Sequence, residues 1–292
     1  MLQIKSIRGL ALLACIALAV GFSRHSQAAA VKHINIADLD VAVWLPSDKP
    51  AVTPWPIVIF SHGFHGSNTQ SVFLMEALAK AGYAVFAPNH ADAVVWNPLG
   101  WLNPPDQPFS DISKWTDATY ANRGRDIRRL VDALSKDTRY NTLSFDWTRI
   151  AIAGHSLGGY TALGLAGAWP AWADPRVKAV LALSPYGTPF IAQKTLANIH
   201  VPVMYQGGTL DTAITPYVKA PNGAYDQTPP PKYFVEFDGA GHLAWIDLQT
   251  TYQSIISQYS VAFLDHAIKG KPFPKSLTGT GGQVSTFRQQ EK

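Results

Sequence analysis

From residue 57 onward the chain alternates short, uninterrupted apolar runs with longer segments of helical periodicity. Ile57-Val58-Ile59-Phe60 precedes a helical pattern over 69–81, and Tyr83-Ala84-Val85-Phe86-Ala87 follows it. A second helical pattern over 122–135 leads to an apolar run at 150–153, and a further helix follows Ser156. Runs at 179–183, 201–205 and 233–237 then read as strands, with a closing helix near 245–268. Unbroken apolar runs suit strands buried on both faces, and their alternation with helices implies right-handed crossovers in a parallel sheet. Residues 33–45 read as antiparallel strands ahead of that series. The expected fold class is α/β, a mostly parallel central sheet flanked by helices on both faces, as one domain over 31–275.

Two segments break the rhythm. Residues 92–119 hold Trp96, Trp101, Trp115 and four prolines, and 221–231 is another proline-rich stretch. Both follow strands at the end of the sheet where α/β proteins bind ligands, so they either wall a substrate cleft or pack as long loops onto the domain. Residues 276–292, rich in Gly, Thr, Ser and Gln, read as a loose tail. At the other end, Lys5 and Arg8 precede an uncharged run over 9–22, and small residues close the segment at Ala28-Ala29-Ala30. That is the pattern of a cleaved secretory signal over 1–30, with a run too short to favour a permanent membrane span.

Composition narrows the function by exclusion. Cys15 is the single cysteine and lies inside the leader, so the mature chain has no disulfide or thiolate site. Leu12-Leu13-Ala14-Cys15 loosely resembles a lipoprotein box, but apolar residues continue past Cys15, and an ordinary leader cysteine is the better reading. Losing Lys5, Arg8 and Arg24 with the leader takes the 24 basic residues to 21 against 20 acidic ones, leaving +1. No basic arm or stripe remains for nucleic acid.

The chemistry centres on Ala153-Gly154-His155-Ser156-Leu157-Gly158-Gly159, between an apolar run and a helix. Gly-x-Ser-x-Gly in that setting is a tight elbow: the serine takes a strained conformation, and glycines two residues either side avoid collision. Phosphate loops supply a lysine, and none stands here. Serine needs a histidine to take its proton and a carboxylate to orient that histidine, in the chain order Ser, acid, His. Three histidines follow Ser156. His200 starts a strand at the wrong end of the sheet, and His266 falls within the closing helix. His242 follows the 233–237 strand in the loop Asp238-Gly239-Ala240-Gly241-His242, at the correct end. Asp211, after the preceding strand, is the preferred acid and Asp238 the alternative; Asp226 and Asp247 read as surface residues. Leu157 supplies one oxyanion-hole amide, and Ser61-His62-Gly63-Phe64-His65-Gly66 supplies the other, through Phe64. His62 and His65 lack a third ligand at metal spacing, so His62 reads as a supporting hydrogen-bond residue and His65 as an exposed rim position. No metal or organic cofactor is required.

Together Ser61-His62-Gly63-Phe64, Gly154-His155-Ser156-Leu157-Gly158-Gly159, Gly208-Thr209-Leu210-Asp211-Thr212 and Gly239-Ala240-Gly241-His242 resemble α/β-hydrolases of the bacterial cutinase and polyester-hydrolase type. Chlorophyllase-like and platelet-activating-factor-acetylhydrolase-like relatives share the likeness, which covers about residues 40–268. The resemblance implies an α/β-hydrolase fold and a secreted serine esterase acting on small-molecule, lipid or polymer esters. Phe60-Ser61-His62-Gly63 and Asn89-His90-Ala91-Asp92 look most like the acetylhydrolase branch, whose acid would fall at Ser184. Serine cannot be that acid, and Leu210-Asp211-Thr212 matches the cutinase placement instead. Phe64 and Tyr186 match the aromatic pair that clamps substrate in polyester hydrolases. The mature chain lacks the C-terminal cysteine pair of many cutinases.

Overall fold

The computed structural model describes residues 31–47, 53–96, 98–99, 109, 111–137 and 144–292. The leader over 1–30, its Cys15 and Trp101 lie outside them. Among the described residues the strands are β1 (Lys32–Ile36), β2 (Leu39–Trp44), β3 (Trp55–Ser61), β4 (Ala84–Pro88), β5 (Phe145–His155), β6 (Val177–Leu183), β7 (Val203–Gly208), β8 (Lys232–Phe237) and β9 (Val284–Gln290). The helices are α1 (Val72–Lys80), α2 (Ala121–Leu134), α3 (Leu157–Leu163), α4 (Thr188–Gln193), α5 (Thr215–Lys219), α6 (Ala224–Gln227) and α7 (Gln253–Lys269). No helix among the described residues is long and apolar enough to cross a membrane.

All nine strands form one sheet in the order β1-β2-β4-β3-β5-β6-β7-β8-β9. The stretch from β4 to β8 is parallel; β1, β2 and β9 run antiparallel to their neighbours. Alternation along each strand divides the apolar residues between two cores. Ile57 and Ile59 face one core with Ile127 and Leu130 of α2 and Tyr160 of α3; Val58 and Phe60 face the other with Leu74 and Leu78 of α1 and Phe263 of α7. This is the α/β-hydrolase architecture, and it explains why β3 has no polar face: all seven of its residues are buried.

Three expectations change. Residues 276–292 are not a loose tail, because β9 pairs along the whole of β8 and buries Val284, while Phe287 packs on Tyr259 and Phe273. A strand at the sheet edge needs only one buried face, so its Ser, Thr and Gln content conceals it. The closing helix starts later than expected, at Gln253, because a 3-10 turn over His242–Trp245 comes first. Asp247 is not a plain surface residue: its carboxylate accepts from the Val72 and Phe73 amides at 2.9 and 3.1 Å, capping α1 from 175 positions away. Burial raises its pKa.

Candidate active site

β5 delivers the chain to Ser156 and α3 carries it away, and between them Ser156 sits at φ 55° and ψ −117°. That left-handed conformation is costly for a residue with a Cβ. Hydrogen bonds hold it: the Ser156 amide donates to the Leu183 carbonyl at 3.0 Å, and the Ser156 carbonyl accepts from the Tyr186 and Tyr160 amides at 3.0 and 3.2 Å. A Cβ on Gly154 would overlap the Gly158 carbonyl, and one on Gly158 would overlap the Ser61 carbonyl. The two glycines therefore let strand, helix and neighbouring loop close onto one another, lifting the serine to the sheet's carboxyl end.

His242 and Asp211 converge on that serine. The His242 Nε2 lies 3.0 Å from Ser156 Oγ, and its Nδ1 lies 3.3 Å from each carboxylate oxygen of Asp211. Asp211 sits in the turn that ends β7, its amide donating to the Gly208 carbonyl at 3.0 Å, with its side chain fully buried. Asp238 is exposed and accepts from Thr209 Oγ1 at 3.2 Å, so the structure brings Asp211, and not Asp238, to the histidine. His200 stands before β7, and His266 on α7 bonds the Lys271 carbonyl.

The loop after β3 is pressed against the elbow, since a Cβ on Gly63 would stand 3.5 Å from Ser156 Cβ. Behind it lies a polar network that sequence reasoning left unread. Arg123 is fully buried, pairs with Asp92 through Nε at 3.0 Å and Nη2 at 2.7 Å, and donates to the His62 and Gly63 carbonyls at 2.7 and 3.0 Å. The Gly63 carbonyl shares one planar peptide with the Phe64 N–H, so holding the carbonyl sets the direction of that amide. Burial alone would raise the Asp92 pKa, but the adjacent guanidinium overrides it and holds the carboxylate well below its usual range. His62 and His90 are pushed low, first by burial and then by Arg123. His62, as expected, is a supporting residue: Nε2 accepts from the His90 amide at 3.0 Å, leaving Nδ1 to donate to the Gly63 carbonyl at 2.7 Å. His65 is half-buried rather than exposed, its Nδ1 bonded to the Asp92 carbonyl at 3.1 Å. A second serine–histidine–aspartate string, Ser61–His90–Asp126, shows bonds of 2.9 and 3.0 Å. Ser61 and His90 are completely buried, so this string braces the loop and does not meet substrate.

His155 was also unread. Burial and the neighbouring His242 pull its pKa down to about 3, so the ring is neutral. Its Nε2–H donates to the His242 carbonyl at 2.9 Å, and its Nδ1 accepts from the Gln70 amide at 3.2 Å. Gln70 Oε1 in turn accepts from the Gly63 amide at 3.0 Å. One string of hydrogen bonds thus ties the loop after β3 to the backbone of His242.

Of the residues over 92–119, Trp115 is buried and Trp96 is exposed. Tyr160 Oη and Gln193 donate to the Thr119 and Trp115 carbonyls at 2.9 Å each, fastening the end of this segment to α3 and α4. Phe109 lies 5.3 Å from Phe64 and 5.2 Å from Tyr186, so the expected aromatic pair is joined through a third ring. The segment's described residues pack on the domain, and Phe109 adds a ring between Phe64 and Tyr186.

A family model, the dienelactone hydrolase family, matches residues 41–249. The chain belongs to that family. Among curated proteins it is 28% identical over 240 residues to Cutinase 2 of Thermobifida cellulosilytica, covering 79% of this chain and 78% of that protein. Cutinase cut1 of Thermobifida fusca is likewise 28% identical, over 79% of this chain and 64% of that protein, less than two thirds of its length. Cutinase est2 of Thermobifida alba is 27% identical over 241 residues, covering 79% and 68%. This member of the dienelactone hydrolase family is a carboxylic ester hydrolase.

Proposed function

We propose that this family member cleaves carboxylic esters through an acyl-enzyme formed on Ser156, with His242 as general base, Asp211 as the orienting acid and the Phe64 and Leu157 amides as the oxyanion hole. The observation that carries the reading is the 3.0 Å approach of His242 Nε2 to a serine held in a strained elbow. His242 Nε2 takes the hydroxyl proton as Ser156 Oγ attacks the carbonyl carbon. The oxygen that gains charge is met by two backbone amides, that of Leu157 at the start of α3 and that of Phe64, whose peptide carbonyl on Gly63 accepts from Arg123. Collapse expels the alcohol with the proton from Nε2, and water repeats the sequence in reverse to release the acid.

Phe64, Tyr186 and Phe109 give the acyl side an aromatic wall, which supports esters with an apolar acyl group, either free or within a lipid or polyester. The leader pattern supports export, with cleavage after one of residues 28–30. N-terminal sequencing of exported protein then begins at Ala29, Ala30 or Val31; retention of residues 1–30 would overturn this part.

Purified protein is expected to hydrolyse p-nitrophenyl esters and to be labelled at Ser156 by an organophosphonate. Ser156→Ala and His242→Ala lower kcat by about 10⁴-fold or more with the fold intact. Asp211→Ala costs about 10³- to 10⁴-fold, whereas Asp238→Ala stays within about twofold. Equal losses at the two aspartates would show that the wrong acid has been chosen. Parallel assays on a polyester film, a phospholipid and matching anilides assign the leaving group, which the triad leaves open.

A further inference from the structure

Ser184 follows the last residue of β6 and is fully buried at φ 42°. Glycine would adopt that backbone freely, whereas a residue with a Cβ bears strain there, so the side chain calls for an account. Its amide is pinned to the Gln206 carbonyl at 2.8 Å. Its Oγ lies 2.9 Å from His242 Nδ1 and also hydrogen-bonds Asp211 Oδ2. The direct distances from Nδ1 to Asp211 are longer, 3.3 Å to either oxygen, at the weak end of N–H···O bonding. Asp211 Oδ1 is buried without a hydrogen-bond partner among the described residues.

Resting on the esterase reading above, we propose that Ser184 is a positioning residue of the active site. Its hydroxyl donates to Asp211 and accepts the Nδ1–H of His242, so the acid holds the imidazole largely through a serine. The donor assignments are mutually consistent. The carboxylate can only accept, the hydroxyl can do both, and a proton on Nδ1 leaves Nε2 free to receive the Ser156 proton. Without the hydroxyl, the imidazolium formed during attack would keep only the long contact to Asp211. The buried carboxylate would also lose a donor.

Ser184→Gly is the informative variant, because glycine keeps the backbone conformation while removing the hydroxyl. Its melting temperature is expected within roughly 3 °C of wild type. Its kcat on a p-nitrophenyl ester should fall about 10- to 100-fold with KM changed less than about twofold. Added to Asp211→Ala, Ser184→Gly should cost little more, because both act through one imidazole. Independently of turnover, the His242 Nδ1–H proton resonance, identified by its loss in His242→Ala, should broaden by solvent exchange in Ser184→Gly. Wild-type kcat in Ser184→Gly, losses that multiply in the double variant, or an unchanged resonance would overturn the proposal. If wild type hydrolyses no ester and Ser156 resists labelling, the esterase reading fails, and the resonance still judges the Ser184 contact.

Discussion

At the scale of single residues, the site joins side chains that a reader of the sequence can find to others that only the fold reveals. Ser156, Asp211 and His242 stand out by residue type, by order and by position after successive strands. Arg123 does not, although it falls on the buried stripe of α2 with Ile127, Leu130, Val131 and Leu134. An arginine on an apolar stripe was the available signal, since full burial of a guanidinium demands partners. Asp126, which accepts from His90 Nδ1 at 3.0 Å, is the most testable member of that network. Burial, partly offset by nearby arginines, raises its pKa to about 6. The folded state therefore holds a proton that the unfolded chain releases near pH 4, and this group's stabilisation is present at low pH and lost as pH rises through 6. Asp126→Asn, which lacks the charge, should melt higher than wild type at pH 8. Calorimetry should show that difference shrinking toward zero at pH 4.

At the scale of elements, the strands that carry the site were legible because β3 to β8 are buried on both faces and read as apolar runs. The 3-10 turn over His242–Trp245 was not: the sequence reads as a loop up to His242 and a helix from near Trp245, whereas Ile246 is extended and the helix begins only at Gln253. Cross-element contacts such as the Asp247 cap on α1 have no local signature at all. Arg123 links α2 to the loop after β3 in the same long-range way, and two effects of its loss separate cleanly. Arg123→Met leaves the largely buried Asp92 carboxylate without its guanidinium, which costs about 3 kcal/mol, or roughly 10 °C in Tm. Adding Asp92→Leu should recover most of that stability, because an apolar pair tolerates burial. The kcat should not recover with it, since the His62 carbonyl still lacks the guanidinium and the Gly63 carbonyl keeps only His62 Nδ1 and the Gly66 amide. Thermal melts and kinetics on the single and double variants check both halves.

At the scale of the whole molecule, one sheet carries Ser156, Asp211 and His242 just after β5, β7 and β8, all at its carboxyl end, and the alternation of runs in the sequence marks those three strand ends. The antiparallel β9 was the architectural surprise. Beyond covering β8, it leads in through Gln283, whose carbonyl accepts from the Asp238 amide at 2.8 Å in the loop that carries His242. Removing residues 276–292 should lower Tm by several degrees, expose the β8 edge to self-association and reduce turnover at temperatures where the remainder stays folded. Melting curves, light scattering and kinetics on the shortened chain test this. The string from the Gly63 amide through Gln70 and His155 to the His242 carbonyl adds a constraint on how such an enzyme fails. Its two halves share one slackness, so heat that frays either loop also detunes the other. Activity should vanish over a narrow temperature interval instead of fading, and tightening either loop alone should lengthen the working life of both.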